Sequence, residues 1–321
     1  MNVRPLKPGE EAAYDELARA HGTLFNRLDW LKLFGDDLQK LGICDGGDTL
    51  TGGLAIYRER RWGLEIFRRA PFTPTCGPFW APRATNPVAV LEERRGVLEA
   101  VAEFIRKANP AICMLPLDRR IQDVLPFFWR GFKVVPNYTY RLDLSPPPGE
   151  LLRNMSPERR KNIGKAERDG LVVRPEPDLA VVRDLVKGTF RRQAKAMDEV
   201  RLEAVLSGYA RPGNSFAFAT YREETPLAAC FVVHDGVTAY YLLGGYRAGE
   251  KHHGAGAAAM FAAIRHSREI GLRVFDFEGS VIPAIERYFR GFGGEAVPYF
   301  TLNRAWWPVE VALKIWKRNV F

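Results

Sequence analysis

The sequence predicts an α/β protein in which one unit is written twice, and three observations carry that expectation. "FWRGFKVVPNYTYRL" at 128–142 and "YFRGFGGEAVPYFTL" at 288–302 share an aromatic followed by Arg-Gly-Phe, a Val-Pro step and an aromatic-rich, strand-like run. The two triplets stand 160 positions apart in a chain of 321 residues, longer than one hydrophobic core usually serves. Helix, strand, helix, corner and strand then follow in the same order in each half, and repeated supersecondary order marks a repeated fold.

In the first half, apolar spacing predicts helices over 9–21 and 29–41 and strands over 53–57 and 64–67. A Pro-rich loop, "APFTPTCGPFWAP", leads to a stretch with Val90, Val97, Leu98, Val101 and Ile105 at helical spacing. "AICMLPL" reads as a buried strand, and a short helix, the Arg130-Gly131-Phe132 corner and a strand over 133–144 close the half. "SPPPGE" at 145–150 is the linker candidate, because consecutive prolines favour an extended spacer.

Ser156-Pro157-Glu158 opens the second half as a helix start, a capping hydroxyl followed by proline in the first turn. Helical patterns run to about 209, and "NSFAFATYR", "TPLAACFVVHD" and "VTAYYLLGGY" read as a meander of three strands. "GAGAAAMFAAIRHSREIG" follows as a helix with Ala257, Met260, Phe261 and Ile264 on one face, then "RVFDFEGS" as a strand, a helix, the second corner and a last strand.

With 46% apolar and 26% charged residues and no low-complexity tract, the composition is that of a globular protein. A net charge of +9 biases encounters toward anions: nucleic acid, phosphorylated cofactors or acidic lipid surfaces. Cys44, Cys76, Cys113 and Cys230 are scattered without C-x-x-C spacing, which argues for free thiols over a disulfide framework or zinc site. The first eleven residues hold no apolar h-region and no run of 18 apolar residues occurs, so a cytoplasmic location is expected.

The halves differ at "KHHGAGAAA". A Gly-x-Gly turn entering a helix bares backbone N–H groups to a phosphate, aided by the helix dipole, whereas the corresponding "TNPVAVLEE" has no glycine pair. Lys251, Gly254, Ala255 and Gly256 here resemble the [Gln/Arg]-x-x-Gly-x-[Gly/Ala] pyrophosphate loop of the GNAT acyltransferases, with Lys first. Together with "FDFEGS" at 275–280, "YFRGFGGE" at 288–295, "TCGPF" and the basic "ERRKNIGKAERDGL", the chain resembles the FemAB family, tandem GNAT-like proteins that transfer aminoacyl groups to peptidoglycan precursors. The resemblance implies two GNAT-like domains at 1–147 and 148–321, each a mixed, mostly antiparallel sheet flanked by helices, with the donor loop in the second. It departs from the family where FemAB enzymes carry lysine and this chain has Arg290, and where CoA-dependent relatives carry tyrosine and this chain has Phe289 beside Tyr288.

Asp276 and Glu278 alternate with Phe275 and Phe277, so one strand would turn both carboxylates to one face, to take a proton from an attacking amine or to pair with arginines. Arg290 would stabilise charge developing on the donor, with Tyr288 as the adjacent hydroxyl. Arg192, in "TFRRQ", resembles a Thr-x-x-Arg pattern of the family and suits anion recognition, and Trp30 with Lys32 resembles its acceptor-facing helix. Arg159, Arg160, Lys161, Lys165 and Arg168 form either a phosphate-binding or a solvated face. His252 and His253 lack a third ligand at metal spacing. The tail helix, with Val309, Ala312, Leu313, Trp316 and Val320 on one face, packs on its own domain or lies at the inner membrane surface.

These features point to acyl transfer from a CoA thioester to a small-molecule or peptide amine, the acceptor entering between the halves, in cell-envelope chemistry. Two rivals stay open: an aminoacyl-tRNA donor, and a non-catalytic binding protein that kept the fold.

Overall fold

Each half of the sequence folds as antiparallel strands, a crossover helix and a further strand parallel to the last of them. The computed structural model describes residues 1–193, 196–250 and 252–316. The chain divides into two units, Met1–Asn137 with Pro298–Phe321, and Tyr138–Val297.

The first unit runs β1 (Asn2–Pro5), α1 (Glu11–His21), α2 (Leu28–Leu31), β2 (Leu38–Cys44), β3 (Leu50–Arg61), β4 (Leu64–Arg68), β5 (Phe79–Trp80), α3 (Pro87–Ala108), β6 (Ile112–Pro116) and α4 (Leu125–Phe128). β1 to β4 form an antiparallel run, and α3 carries the chain back so that β6 lies parallel to β4. The helical spacing read for α3 is the packed face: Val97, Leu98, Val101 and Ile105 are buried against β-strand residues such as Ile43 and Ile56. All four cysteines are buried and free.

β7 (Lys133–Asp143) leads into the second unit, followed by α5 (Pro148–Asn154), α6 (Pro157–Arg168), β8 (Val172–Pro175), α7 (Leu179–Arg192), α8 (Glu199–Glu203), β9 (Ser215–Arg222), β10 (Thr225–His234), β11 (Thr238–Tyr246), α9 (Ala255–Glu269), β12 (Val274–Asp276) and α10 (Pro283–Arg290). β8 to β11 are antiparallel neighbours, α9 is the crossover, and β12 lies parallel to β11 and antiparallel to β7. β13 (Glu295–Ala305) and α11 (Trp307–Trp316) end the described chain.

The division differs from 1–147 and 148–321. Pro147 is the N-cap of α5, so "SPPPGE" starts a helix, and the boundary falls at Asn137, inside β7. The cause is strand pairing. Arg141–Asp143 of β7 pairs with β12 inside the second unit, while Thr301–Ala305 of β13 pairs with β6 inside the first, so the closing strand of each sequence half is taken into the unit built mostly from the other half.

The helix expected over 29–41 is replaced by α2, a 3₁₀ stretch and β2. Gly35, at φ 57°, ends the helical turn, and Leu38–Cys44 is drawn into a ladder with β3 that local periodicity did not signal. The two Arg-Gly-Phe corners also differ. Gly131 takes φ +77°, whereas Gly291 stays helical and Gly293 makes the turn at φ +89°. Phe132 stacks edge-on to Phe127, and Phe292 stacks on Phe277, each anchoring its corner in its own core.

Candidate active site

A cleft opens in the second unit because two parallel strands part early. β12 pairs with β11 only through Val274, Phe275 and Asp276, opposite Thr238, Ala239 and Tyr240. β11 runs on to Tyr246 while β12 stops. Asp276 Oδ1 accepts the N–H of Glu278 two residues on, an Asx turn. Glu278 and Gly279 then take φ +58° and +61°, and Gly279 passes so close to Tyr138 that a Cβ would lie 2.0 Å from its carbonyl oxygen. The edge of β11 beyond Tyr240 is thereby left open toward a cavity of about 530 Å³.

α9 and α10 wall that cavity. Gly256, Ala257 and Met260 present the small face of α9, Cys230 and Tyr241 come from the sheet, and Tyr288 and Phe289 from α10. A bulge at Leu242, skipped between the pairs Phe231–Leu243 and Val232–Tyr241, turns Tyr241 and Gly244 to the same side of β11. Gly244 leaves room for the tyrosine: a Cβ there would lie 1.6 Å from Tyr241 Oη. Burial pushes the Tyr241 phenol well above its ordinary range, and does the same to Tyr288 against the opposing pull of the Arg159 cation.

The start of α9 has four amides to satisfy, as every helix does. His252 takes two of them: its Nδ1 accepts from Gly254 at 3.1 Å and its carbonyl from Ala255 at 3.3 Å. An Nδ1 that accepts places the ring proton on Nε2, which lies 2.9 Å from Asp169 Oδ2. Asp169 is held at about 2, first by Lys165 and then by His252. The amides of Gly256 and Ala257 have no acceptor among the described residues, and both residues line the cavity.

Of the loop residues expected to hold a donor, only Gly256 is so placed. Gly254 is glycine for packing, since a Cβ would lie 2.2 Å from Asn162 O on α6. Ala255 is core, 2% exposed, and its carbonyl accepts from Thr220 Oγ1 at 2.8 Å. Lys251 lies outside the described residues, as does Val320 of the tail helix.

The expected carboxylate pair is not a pair on one strand. β12 ends at Asp276, and neither Asp276 nor Glu278 lines the cavity. Asp276 is 3% exposed, accepts from Thr139 Oγ1 and lies 3.3 Å from Arg141 Nε. Its work is to end the strand, which opens the cleft. Asp276→Ala is therefore expected to cost about 2–4 kcal/mol in a denaturant melt, and Asp276→Asn, which keeps the turn, less, with turnover within a few-fold of wild type. A base at this position would instead lose turnover in Asp276→Asn with stability intact.

Arg290 is 61% exposed and donates to Glu286 Oε1 at 2.8 Å, outside the cavity lining. Arg192 pins α7 to β11: its Nη2 donates to Tyr246 O at 2.8 Å and to Thr189 Oγ1 at 2.9 Å, and it lies over the Tyr246 ring. Trp30 is fully buried in the first unit, donating to Thr73 Oγ1 at 3.0 Å beside Phe25 and Phe34, so it is part of the core instead of an open face, and Lys32 is exposed in that unit. Tyr288 does line the cavity. Periodicity missed Tyr241, because the bulge that aims it is not visible in an unbroken apolar run. The Gly244-Gly245 pair behind it was the available signal.

The second unit is thus a mixed sheet that parts beside a helix N-terminus whose Gly256 and Ala257 amides have no acceptor among the described residues. Residues 157–290, from α6 through α10, match the family model described as an acetyltransferase (GNAT) domain, and the chain carries such a domain in its second unit. Among solved structures, the chain is similar to FemX, at 13% identity and TM-score 0.64 over 94% of this chain and 97% of that one. It is similar also to L-PGS from Bacillus licheniformis, at 13% identity and TM-score 0.56 over 99% and 98% of the two chains. A tandem GNAT protein from the clavulanic acid biosynthesis pathway aligns at 13% identity and TM-score 0.51 over 94% and 97%. At such identities the likeness is one of fold, the tandem GNAT fold over nearly the whole chain. No curated protein matches the sequence. The activity that the domain supports is acyl transfer.

Proposed function

We propose that the protein moves an acyl group from a coenzyme A thioester to an amine, with the donor held in the cavity of the second unit. The observation that carries this reading is the pair of amides, Gly256 and Ala257, bared at the start of a 15-residue helix and opening on the cavity. Such a terminus favours a phosphate both by its N–H groups and by its dipole. The open edge of β11 beyond Tyr240 offers backbone groups to an extended amide-bearing arm.

In the reaction a neutral amine attacks the thioester carbonyl carbon, the C–N bond forms, the C–S bond breaks, and the thiolate takes a proton. Tyr241 is the donor of that proton, since it stands where the strands part and burial keeps its phenol protonated. The proton released by the amine passes to water at the rim, where Ala284 and Arg287 are exposed.

The basic helix α6 favours an aminoacyl-tRNA donor less than its composition suggests. Arg160 donates to Arg153 O and Met155 O, Lys165 pairs with Asp169, and Arg159 is 4% exposed. Titration of acetyl-CoA and of an aminoacylated RNA minihelix, each between about 50 and 200 mM salt, separates the two. Saturable acetyl-CoA binding with a shallow salt slope is expected. Binding of the RNA alone, falling steeply with salt, would refute the CoA donor.

A further inference from the structure

We propose that Arg159 is a phosphate-binding residue of this cavity, joining the α9 amides in holding the phosphate of an acyl carrier. This rests on the carrier reading above and adds a ligand from outside the glycine turn. Ser156 Oγ accepts the Arg159 amide at 3.2 Å and sets the first turn of α6. Arg159 and Asn162, three residues apart, then share one helix face, and the Asn162 carbonyl is the group against which Gly254 packs. Arg159 is thus brought one turn from the start of α9.

Its side chain is 5% exposed, and a guanidinium so buried ordinarily has its donors fully matched. Here they are not. Nη2 donates to Glu158 at 2.6 Å, but that carboxylate is itself 63% exposed, and Nε has no acceptor among the described residues. Gly291 is the reason that the side chain fits: a Cβ there would lie 2.8 Å from Arg159 Cγ and 3.0 Å from Nε. The guanidinium carbon sits 4.6 Å from the centre of the Tyr288 ring, and the Tyr288 hydroxyl lies 3.4 Å from where a Cβ on Gly256 would be. Cation, phenol and two amides therefore line one volume, and all of them donate.

A buried cation short of acceptors, beside the positive end of a helix, matches a phosphate, which a guanidinium grips with paired hydrogen bonds. Two carriers present that chemistry: the pyrophosphate of coenzyme A, and the terminal phosphodiester of a charged RNA. The Arg159–Glu158 contact holds the side chain until the stronger anion arrives.

Calorimetric titration of inorganic pyrophosphate, CoA and acetyl-pantetheine into wild type, Arg159→Met and Glu158→Gln tests this, with a thermal melt of each variant. Arg159→Met is expected to weaken pyrophosphate and CoA about 10- to 100-fold, as charged hydrogen bonds do, and to leave acetyl-pantetheine unchanged. Glu158→Gln, which releases Nη2, is expected to tighten both phosphates several-fold. Equal weakening of acetyl-pantetheine would make Arg159 a support for Tyr288 and overturn the proposal, as would unchanged pyrophosphate affinity. Should Arg159→Met fail to fold, an unchanged affinity in Glu158→Gln overturns it. Wild type that binds pyrophosphate and charged minihelix RNA but not CoA keeps Arg159 as the phosphate ligand and refutes the CoA donor alone; wild type that ignores pyrophosphate overturns the assignment of Arg159.

Discussion

Gly256→Asp is expected to abolish carrier binding and leave the fold intact: CoA affinity should fall by at least about a hundredfold in titration, while the melting temperature should hold or rise slightly. The position tolerates a side chain. It lies in the first turn of α9, and an added Cβ would meet only Tyr288 Oη, at an ordinary 3.4 Å. A carboxylate in that turn complements the dipole and is worth about 0.3–1 kcal/mol to the helix. The same carboxylate sits where the phosphate belongs, so it satisfies the amides itself and repels the ligand. Gly254→Ala is the contrast, because its Cβ would drive into the Asn162 carbonyl at 2.2 Å, and α6 or α9 must shift. That variant is expected to lose about 1–3 kcal/mol of stability, as overpacked sites do. A Gly256→Asp protein that melts normally and binds CoA as wild type does would remove the helix terminus from the donor site.

Tyr241→Phe is expected to lower kcat by about 10²–10³ with little change in the KM of the donor, the loss that follows when a positioned acid is removed. The ring keeps its packing, edge-on to Phe289 at 5.7 Å, so the fold is spared. The sign of the pH dependence follows from the raised phenol. An acid acts in its protonated form, and burial carries Tyr241 above the ordinary phenol range, so in wild type this group limits turnover only at strongly alkaline pH. Tyr288→Phe is expected to act differently, moving carrier affinity more than kcat, because its hydroxyl stands beside Gly256 and not at the parting of the strands. Wild-type turnover in Tyr241→Phe, with the loss appearing in Tyr288→Phe, would reverse the two roles.

Roles were legible where a residue's surroundings are its own neighbours in sequence. The Ser156-Pro157 start, the helix that opens at the Gly-x-Gly turn and the buried stripe of α3 are local and form as their spacing predicts, although of that turn only Gly256 lines the cavity. Asp276 was misplaced because alternation along "FDFEGS" presumes that the strand continues, whereas an Asx turn and a close pass against Tyr138 stop it. Arg159 was hidden in a run of basic residues. Its burial is decided by Gly291, 132 positions away, and by Tyr288. Trp30 resembled an acceptor-facing residue and proved to be core, a distinction that rests on Thr73, Phe25 and Phe34.

By itself the sequence determined the repeated order of elements, the crossover helix of each half and the half able to offer bare amides, because periodicity, capping and glycine placement act over a few residues. Tertiary structure alone decided where the units divide, which carboxylate ends a strand and stays out of the cavity lining, and which arginine is buried beside the helix terminus. Those outcomes depend on strand exchange and on approaches between backbones far apart in the chain, where a missing Cβ or a three-residue ladder sets the geometry, and no local pattern records them.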